Sequence, residues 1–461
     1  MKILLIRPQN TGNINTRLPE SLNKRQGVLP PLGLAYIASF LRSKGCDVRI
    51  LDAIALNLTL DDLRHSIEDY HPDIVGVTAM TSTLFGALDA ARIAKETGCI
   101  AVLGGPQVSA YPVETLSYPF VDYGIAGEGE LPFWQLVEAL NRGAAVDSVQ
   151  GLVYRKNGAV HVNSPSIAAD LDALPFPAFD LLPMKRYDSI IGRSPVCTMV
   201  STRGCPYRCH FCAKQPSDRK FRCRSPHNVV DEMEFLVNRF GINEIMFYDD
   251  VITVRRAHIE GMCREILARN LKVCWESPAR VDTVDASLLA LMKKAGCIRL
   301  RYGIESGDER ILALMNKKIT VEQVREAVHL TRTAGIETFG YFMIGYATET
   351  PETIRTTISF ACSLKLDMAM FTVVTPYPHT PLYEMARREA MLRDDYWREF
   401  TLGRKNGERL PYFVPDAPEW VKRAYMRFYL NWRYILRQML RIRSIEQVWK
   451  CFRALWGIVR I

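Results

Sequence analysis

Short apolar, β-branched runs alternate along the first third of the chain with stretches whose apolar positions recur every three or four residues. Lys2–Ile6, Asp47–Asp52, Asp73–Thr78, Ile100–Leu103 and Val121–Ala126 predict strands, and Leu60–Tyr70, Leu84–Thr97 and Glu130–Leu140 predict amphipathic helices. This alternation predicts an α/β domain over residues 1–145, a parallel sheet covered on both faces in a Rossmann-like (flavodoxin-like) layout. Ligands in such folds sit at the carboxyl ends of the strands, where Gly104-Gly105-Pro106 and Gly127-Glu128-Gly129-Glu130 fall. A hairpin is predicted next, Gly151–Tyr154 with Val160–Asn163 around Asn157-Gly158. A Pro-bearing stretch from Pro165 through Pro183 then completes a hairpin-and-linker region, 146–193.

From Ser194 a second series begins. Its predicted strands are Val196–Ser201, Glu244–Tyr248, Val273–Glu276, Ile298–Tyr302, Thr338–Met343 and Met370–Thr375, with helices such as Asn228–Phe240 and Val321–Ala334 between them. Six units are too few for a closed eightfold barrel, so residues 194–400 are read as a partial (β/α)6 barrel with its site at the strand carboxyl ends. Residues 401–461 form a C-terminal helical segment.

The length of 461 residues agrees with two domains and an appendage. The opening apolar run meets Arg7 and Pro8 at once, as a strand and not a signal peptide would. The longest apolar stretch, Ile358–Val374, is interrupted by Lys365 and Asp367 and is too short to span a bilayer. A cytoplasmic protein is expected, and its twelve cysteines then read as reduced thiols or metal ligands. From Pro418 onward ten Lys and Arg face only Glu419 and Glu446, which is +8 of the chain's +9. A nearly neutral body argues against a nucleic-acid groove.

Cys205-Pro-Tyr-Arg-Cys209-His-Phe-Cys212 gathers three thiols directly after a predicted strand. Soft thiolates suit iron–sulfur or zinc. A structural zinc site wants a second, distant pair of ligands, and no second knuckle follows. Three ligands on a four-iron cluster leave one iron open. His210 is expected to pack or hydrogen-bond within the loop.

CxxxCxxC after the first strand of a partial barrel resembles the radical S-adenosylmethionine (radical SAM) superfamily. The resemblance implies a 4Fe–4S cluster on Cys205, Cys209 and Cys212, S-adenosylmethionine chelating the open iron, and its reductive cleavage to a 5′-deoxyadenosyl radical. An external electron donor such as flavodoxin or ferredoxin would supply the electron. By the same resemblance Asp249 and Asp250 would meet the methionyl amine, and Glu305 and Ser306 the ribose hydroxyls. Arg280 would meet the cofactor carboxylate, and Gly345 and Glu349 the adenine region. The string Gly345-Tyr-Ala-Thr-Glu349-Thr departs here from the family's Gly-Leu-Pro-Gly-Glu-Thr. The residues alone also allow plainer roles: a helix N-cap for the Asp pair, a turn at 303–307, a surface charge at Arg280. His379, where relatives often carry Gly, is either an acid/base candidate or a satisfied loop histidine.

The N-terminal domain resembles the cobalamin-binding domain of one branch of that superfamily. Pro30-Pro31-Leu-Gly33, Thr78-Ala-Met-Thr81, Gly104-Gly105 and Gly127-Glu128 stand in that branch's order. The implied corrin contacts are Thr78, Thr81, Gly104, Gly105, Gly127 and Glu128. Asp52-Ala-Ile-Ala lacks the Asp-x-His string that supplies a lower histidine ligand in many cobalamin proteins, so cobalt would carry no protein imidazole. The closest resemblance is to the anaerobic magnesium-protoporphyrin monomethyl ester cyclase and methyltransferase-like group. It implies methylation of an unactivated carbon of a small-molecule, lipid or tetrapyrrole substrate. Radical oxidative cyclisation and a non-catalytic corrin or cluster sensor are the alternatives. A tRNA methylthiotransferase would want further N-terminal cysteines than Cys46 and Cys99.

In the tail, Tyr425, Phe428, Tyr429, Trp432, Leu436 and Met439 recur at helical spacing with Arg433, Arg437 and Arg441 alongside. Ser444-Ile-Glu-Gln447 reads as a capping box opening a second helix. Two roles stay open: a lid on the barrel, and peripheral contact with the inner face of an anionic membrane.

Overall fold

The computed structural model describes residues 1–9, 27–189, 191–214, 216–389, 391–392, 394–405 and 410–439. Its N-terminal sheet holds β1 (Lys2–Arg7), β2 (Asp47–Asp52), β3 (Ile74–Thr78), β4 (Ile100–Gly104), β5 (Tyr123–Ile125), β6 (Leu152–Lys156) and β7 (Ala159–Val162), in the order 2-1-3-4-5-6-7. The first five are parallel. Their 2-1-3-4-5 order is the flavodoxin-like one, with its switch point between β1 and β3. Alternate residues of β1 enter opposite cores. Ile3 and Leu5 pack under α1 (Leu32–Ser43) and α4 (Glu130–Arg142). Leu4 and Ile6 pack under α2 (Leu60–Tyr70) and α3 (Leu84–Glu96). No helix was expected at α1, because Pro30, Pro31 and Gly33 at its start mask the period.

The expected hairpin is present. β6 hydrogen-bonds antiparallel to β5 and extends the N-terminal sheet. Its turn residues Asn157 and Gly158 both have positive φ, 52° and 77°, as a two-residue I′ turn requires.

The second sheet holds β8 (Val196–Met199), β11 (Glu244–Phe247), β12 (Cys274–Ala279), β13 (Cys297–Glu305), β14 (Glu337–Ile344) and β15 (Met368–Val373), all parallel and adjacent in chain order. This is the expected open barrel of six units. A two-stranded ribbon, β9 (Thr202–Arg203) with β10 (Arg222–Cys223), stands outside it. Helices α5 (Pro226–Phe240), α6 (Arg256–Ala268), α7 (Ala286–Lys294), α8 (Val321–Thr333) and α9 (Pro351–Ser363) cover the outer face, where Trp275, Leu300, Phe342 and Phe371 form one core with them. At the base of the inner face stands an ion network around the buried Arg299. Arg299 bridges Glu244 (3.4 Å), Glu276 and Glu337 (2.8 Å) there. Above that floor, partly accessible Arg301, Tyr341, Met343 and Met370 line the lumen.

After β15 the chain returns to the first domain. Tyr383, Trp397 and Phe400 share a core with Leu84 and Val108. The Tyr111 hydroxyl donates to Asp395 (2.9 Å), and Gln107 Nε2 donates to Thr401 Oγ1 (2.7 Å). Helix α10 (Ala417–Tyr429) then seals the exposed edge of the barrel. The Tyr425 hydroxyl accepts from Phe371 N–H (3.2 Å), and Tyr429 Oη accepts from Ala369 N–H (3.0 Å) and donates to its carbonyl (2.7 Å). Tyrosine hydroxyls thus satisfy an edge strand that would otherwise present free backbone groups. Helix α11 (Trp432–Met439) follows. The second predicted tail helix, from Ser444, and Arg441 lie outside the described residues. No described helix is long and apolar enough to cross a membrane.

Candidate functional site: a thiol loop and a glycine-walled cavity

The three cysteines lie on the loop between the ribbon strands, at the carboxyl end of β8. Gly204 opens the loop with φ +90°, and a Cβ there would sit 2.4 Å from the Lys220 carbonyl oxygen, so only glycine fits. The Cys205 N–H donates to Asp218 O (2.9 Å). All three thiols are half-buried and free of disulfides. Burial pushes the Cys205 and Cys212 thiols up, and a bound soft metal would displace those protons. His210 hydrogen-bonds Leu314 O through Nδ1 (2.8 Å), and its backbone N–H donates to Met315 O (2.9 Å). The imidazole therefore anchors the loop to the short helix Glu309–Leu314.

Asp249, just past β11, is buried and braces the base of the loop. Its carboxylate accepts from Ser201 N–H (3.0 Å), Ser201 Oγ (3.1 Å), Thr202 N–H and Thr202 Oγ1. Burial pushes this carboxyl up to about 6 against those hydrogen bonds. Asp250 instead pairs with Lys214 (2.7 Å), two residues past Cys212. Arg280 is buried, not a surface charge: it forks onto Asp282 (2.9 and 2.8 Å), donates to Lys317 O (3.0 Å) and stacks 3.7 Å from the centre of the Tyr207 ring. Glu305 ends β13 with φ +69° and accepts from Lys317 Nζ (2.7 Å). A left-handed non-glycine residue costs on the order of 1–3 kcal/mol, which points to a functional constraint. Gly303 leaves room for the pair, since a Cβ there would lie 2.4 Å from Glu305 Oε1. Ser306 is fully buried and bonds Thr357 Oγ1 (3.0 Å). Glu349 Oε2 accepts from the N–H groups of Gly345 (2.6 Å) and Tyr346 (2.9 Å), while Oε1 is buried without a hydrogen bond among the described residues. Burial pushes the Glu349 carboxyl up to about 7.

In the N-terminal domain a cavity of about 310 Å³ opens at the β1/β3 switch point. Thr78, Gly104, Gly105, Gly127 and Glu128 line it, along with Tyr36 and Arg203. Thr81 stands just beyond that lining, in the turn Thr81–Thr83. A Cβ at Gly105 would meet Ala79 O at 2.8 Å, whereas one at Gly104 would meet nothing nearer than 3.9 Å and would project into open space. Glu128 is tied to the ribbon: it accepts both terminal nitrogens of Arg222 (2.6 and 3.1 Å) and the Ala168 N–H (2.6 Å), with Arg203 at 3.5 Å. Against burial, Arg222 and Arg203 hold its carboxyl below the usual range. Arg203 also pairs with Glu130 (2.7 Å) and lies over the Tyr36 ring. His379, with φ +58°, hydrogen-bonds Ala110 O through Nε2 (2.8 Å) at the junction between the domains.

Residues 199–361 match the Radical SAM superfamily and residues 21–137 the B12 binding domain. The thiol loop and the cavity are thus the two halves of one class of enzyme. An uncharacterized methyltransferase of Pyrococcus horikoshii is 35% identical over 444 residues, 95% of each chain. The anaerobic magnesium-protoporphyrin IX monomethyl ester cyclase of Rubrivivax gelatinosus is 32% identical over 88% of this chain and 74% of its own. The radical S-adenosylmethionine methyltransferase TsrM of Kitasatospora setae, solved with cobalamin and a [4Fe-4S] cluster, superposes with a TM-score of 0.70 at 19% identity, over 84% of this chain and 78% of that one. This chain belongs to the cobalamin-binding branch of the radical SAM enzymes, and its cofactors are a 4Fe–4S cluster, S-adenosylmethionine and cobalamin.

The residues present fit that set. Three free thiols share one loop, the orphaned Glu349 Oε1 offers a buried acceptor or donor, and the cavity at Gly104 is open to a large group. No histidine lines the cavity among the described residues. Arg203, Arg222, Lys214 and Lys317 were missed by sequence reasoning. Only Arg203 carried a signal, as the residue immediately before Gly204-Cys205.

Proposed function

We propose that this chain methylates an unactivated carbon of a small-molecule substrate. One observation carries the reading: Arg203 lines the corrin cavity and is also the last ribbon residue before the thiol loop, so the two sites share a wall. When bound, the cluster with S-adenosylmethionine supplies a hydrogen-abstracting radical, and the corrin supplies the methyl group. In this reading Cys205, Cys209 and Cys212 hold the cluster. Arg280 and Asp250, at the rim, face the cofactor's carboxylate and amine. Glu305 receives the ribose hydroxyls in exchange for Lys317, and Gly345 with Glu349 borders the adenine. Thr78, Thr81, Gly104, Gly105 and Gly127 approach the corrin. Asp249, Ser306 and Glu128 act by positioning the loop, the β13 turn and the ribbon. The substrate lies against Arg301, Tyr341 and Met370 in the lumen, above the Arg299 network.

Radical cyclisation without methyl transfer is the second reading, favoured by the 32% identity to the magnesium-protoporphyrin cyclase. The two separate in an anaerobic assay with a flavodoxin- or ferredoxin-type donor. Joint formation of 5′-deoxyadenosine and S-adenosylhomocysteine supports methyl transfer. 5′-Deoxyadenosine alone supports cyclisation, and neither product would reduce the chain to a binding protein.

A further inference from the structure

Helix α11 is mounted the wrong way round for a water-exposed element. Three of its polar residues face the barrel: the Tyr434 hydroxyl donates to Asp367 O (3.0 Å), Arg437 Nη2 to Leu366 O (2.6 Å) and Gln438 Nε2 to Asp367 O (3.4 Å). Its apolar residues face outward, with Trp432, Leu436 and Met439 67%, 51% and 63% exposed. These stand at i, i+4 and i+7 and form one stripe. A surface helix of a globular protein normally buries such a stripe. The stripe continues onto α10 through Met426 and Leu430, which are also exposed. Exposed Arg423, Arg427 and Arg433 flank it. None of the three has a carboxylate partner among the described residues, and Arg433 lies 5.3 Å from the centre of the Trp432 ring. A groove of about 390 Å³ runs between Arg427, Trp432 and Arg433.

We infer that the outer face of α10 and α11 is a docking surface for an anionic phospholipid bilayer. An apolar stripe with a tryptophan at its head enters the acyl boundary, and the arginines beside it meet lipid phosphates. The charge is complementary: residues from Pro418 carry +8 while the rest of the chain is close to neutral. The hydrogen bonds of Tyr434 and Arg437 to β14–β15 connections hold the helix rigidly on the barrel, so docking would orient the whole enzyme toward the membrane. This surface is separate from the cofactor sites, and its test does not depend on methyl transfer.

The test is co-sedimentation of the full-length protein with vesicles of phosphatidylcholine alone or with added phosphatidylglycerol, at low and high salt. Each basic residue near an anionic surface strengthens partitioning by about fivefold. The triple variant Arg423→Gln, Arg427→Gln, Arg433→Gln is therefore expected to bind anionic vesicles roughly a hundredfold more weakly. The variant Trp432→Ser, Leu436→Ser, Met439→Ser changes only exposed side chains and should elute like the parent on gel filtration while losing vesicle binding. Parent protein left in the supernatant with anionic vesicles at low salt overturns the inference. So does a parent dimer that the serine variant abolishes, which would assign the stripe to a second copy of this chain. Retention of an RNA oligonucleotide that displaces the vesicles, with unchanged vesicle binding by the serine variant, overturns it as well.

Discussion

The two cofactor sites stand at equivalent places, the carboxyl ends of two parallel sheets, yet they are prepared differently. At β1, β3 and β4 the wall is mainly glycine backbone and aliphatic side chain, the paired charges of Glu128, Glu130 and Arg203 stand on the ribbon side, and the space is already open. At β11 to β14 the rim is cross-braced: Asp250 is held by Lys214, Glu305 by Lys317, Arg280 by Asp282 and Asp249 by the Ser201–Thr202 backbone. A large ligand needs a preformed hollow, because space of that size cannot be opened by moving one or two side chains. A small zwitterionic ligand needs charges on hand, and unpaired buried charges are too costly to keep waiting. The second site therefore keeps its polar groups as pairs, and on the proposed reading the cofactor would take over those partners.

The strongest way to break that contrast is to remove one site and ask whether the other survives. Changing Cys205, Cys209 and Cys212 together to Ala is expected to abolish all cluster iron after anaerobic reconstitution, with cobalamin retained. Iron at four per chain in that variant would refute the thiol assignment, and joint loss of corrin would refute independent sites.

The converse substitution is Gly104→Leu. Its side chain would enter open space, so folding is expected to persist while cobalamin retention falls by about tenfold or more. Equilibrium dialysis gives the retention, and iron content should not change. In the parent, electron paramagnetic resonance of the Co(II) form is expected to show no nitrogen hyperfine splitting from a protein ligand, since no histidine lines the cavity among the described residues.

The clamp between the sites is worth less. Glu128→Gln with Glu130→Gln leaves Arg203 and Arg222 unneutralised at the domain junction. Denaturant unfolding should then lose about 3 kcal/mol. If the loss is nil, Arg203 and Arg222 have other partners in solution and the shared wall is not held by charge.

The last effect is a pH slope, comparable in size but confined to one carboxyl. Glu349 has a folded pKa of about 7 against 4.5 unfolded. Its contribution to stability is complete below pH 4.5 and is lost as pH rises through 7, by up to about 3 kcal/mol. Glu349→Gln keeps the acceptor for Gly345 and Tyr346 and removes the titration. The variant should match the parent at pH 4.5 and exceed it at pH 8 in thermal unfolding. Parallel curves would show that this carboxyl ionises normally.

Much of this architecture was written in local pattern. The runs at β1 to β5, the six βα units and the Asn157-Gly158 turn follow from period and turn chemistry over a few residues. The thiol spacing needs no tertiary context at all, because eight residues of one loop contain the whole donor set. Resemblance also named the glycines of the cavity, and a Cβ at Gly105 would collide with the Ala79 backbone. What periodicity cannot specify is the partner of a polar group. Glu128 stands in a motif read as a corrin contact, yet its carboxylate is held by Arg222, 94 residues away. Asp249 turns to Ser201 and Thr202, and His379 to Ala110. Tertiary structure alone brought Trp397 and Phe400 back to the first domain, and it mounted α11 by its polar edge. A helical stripe shows which residues share a face, but which face meets the protein depends on hydrogen bonds offered by strands far off in the chain. Element type is a local sum of backbone and side-chain preferences. The role of a carboxylate, an arginine or an apolar stripe is set by whatever the closed fold places within 3 Å of it.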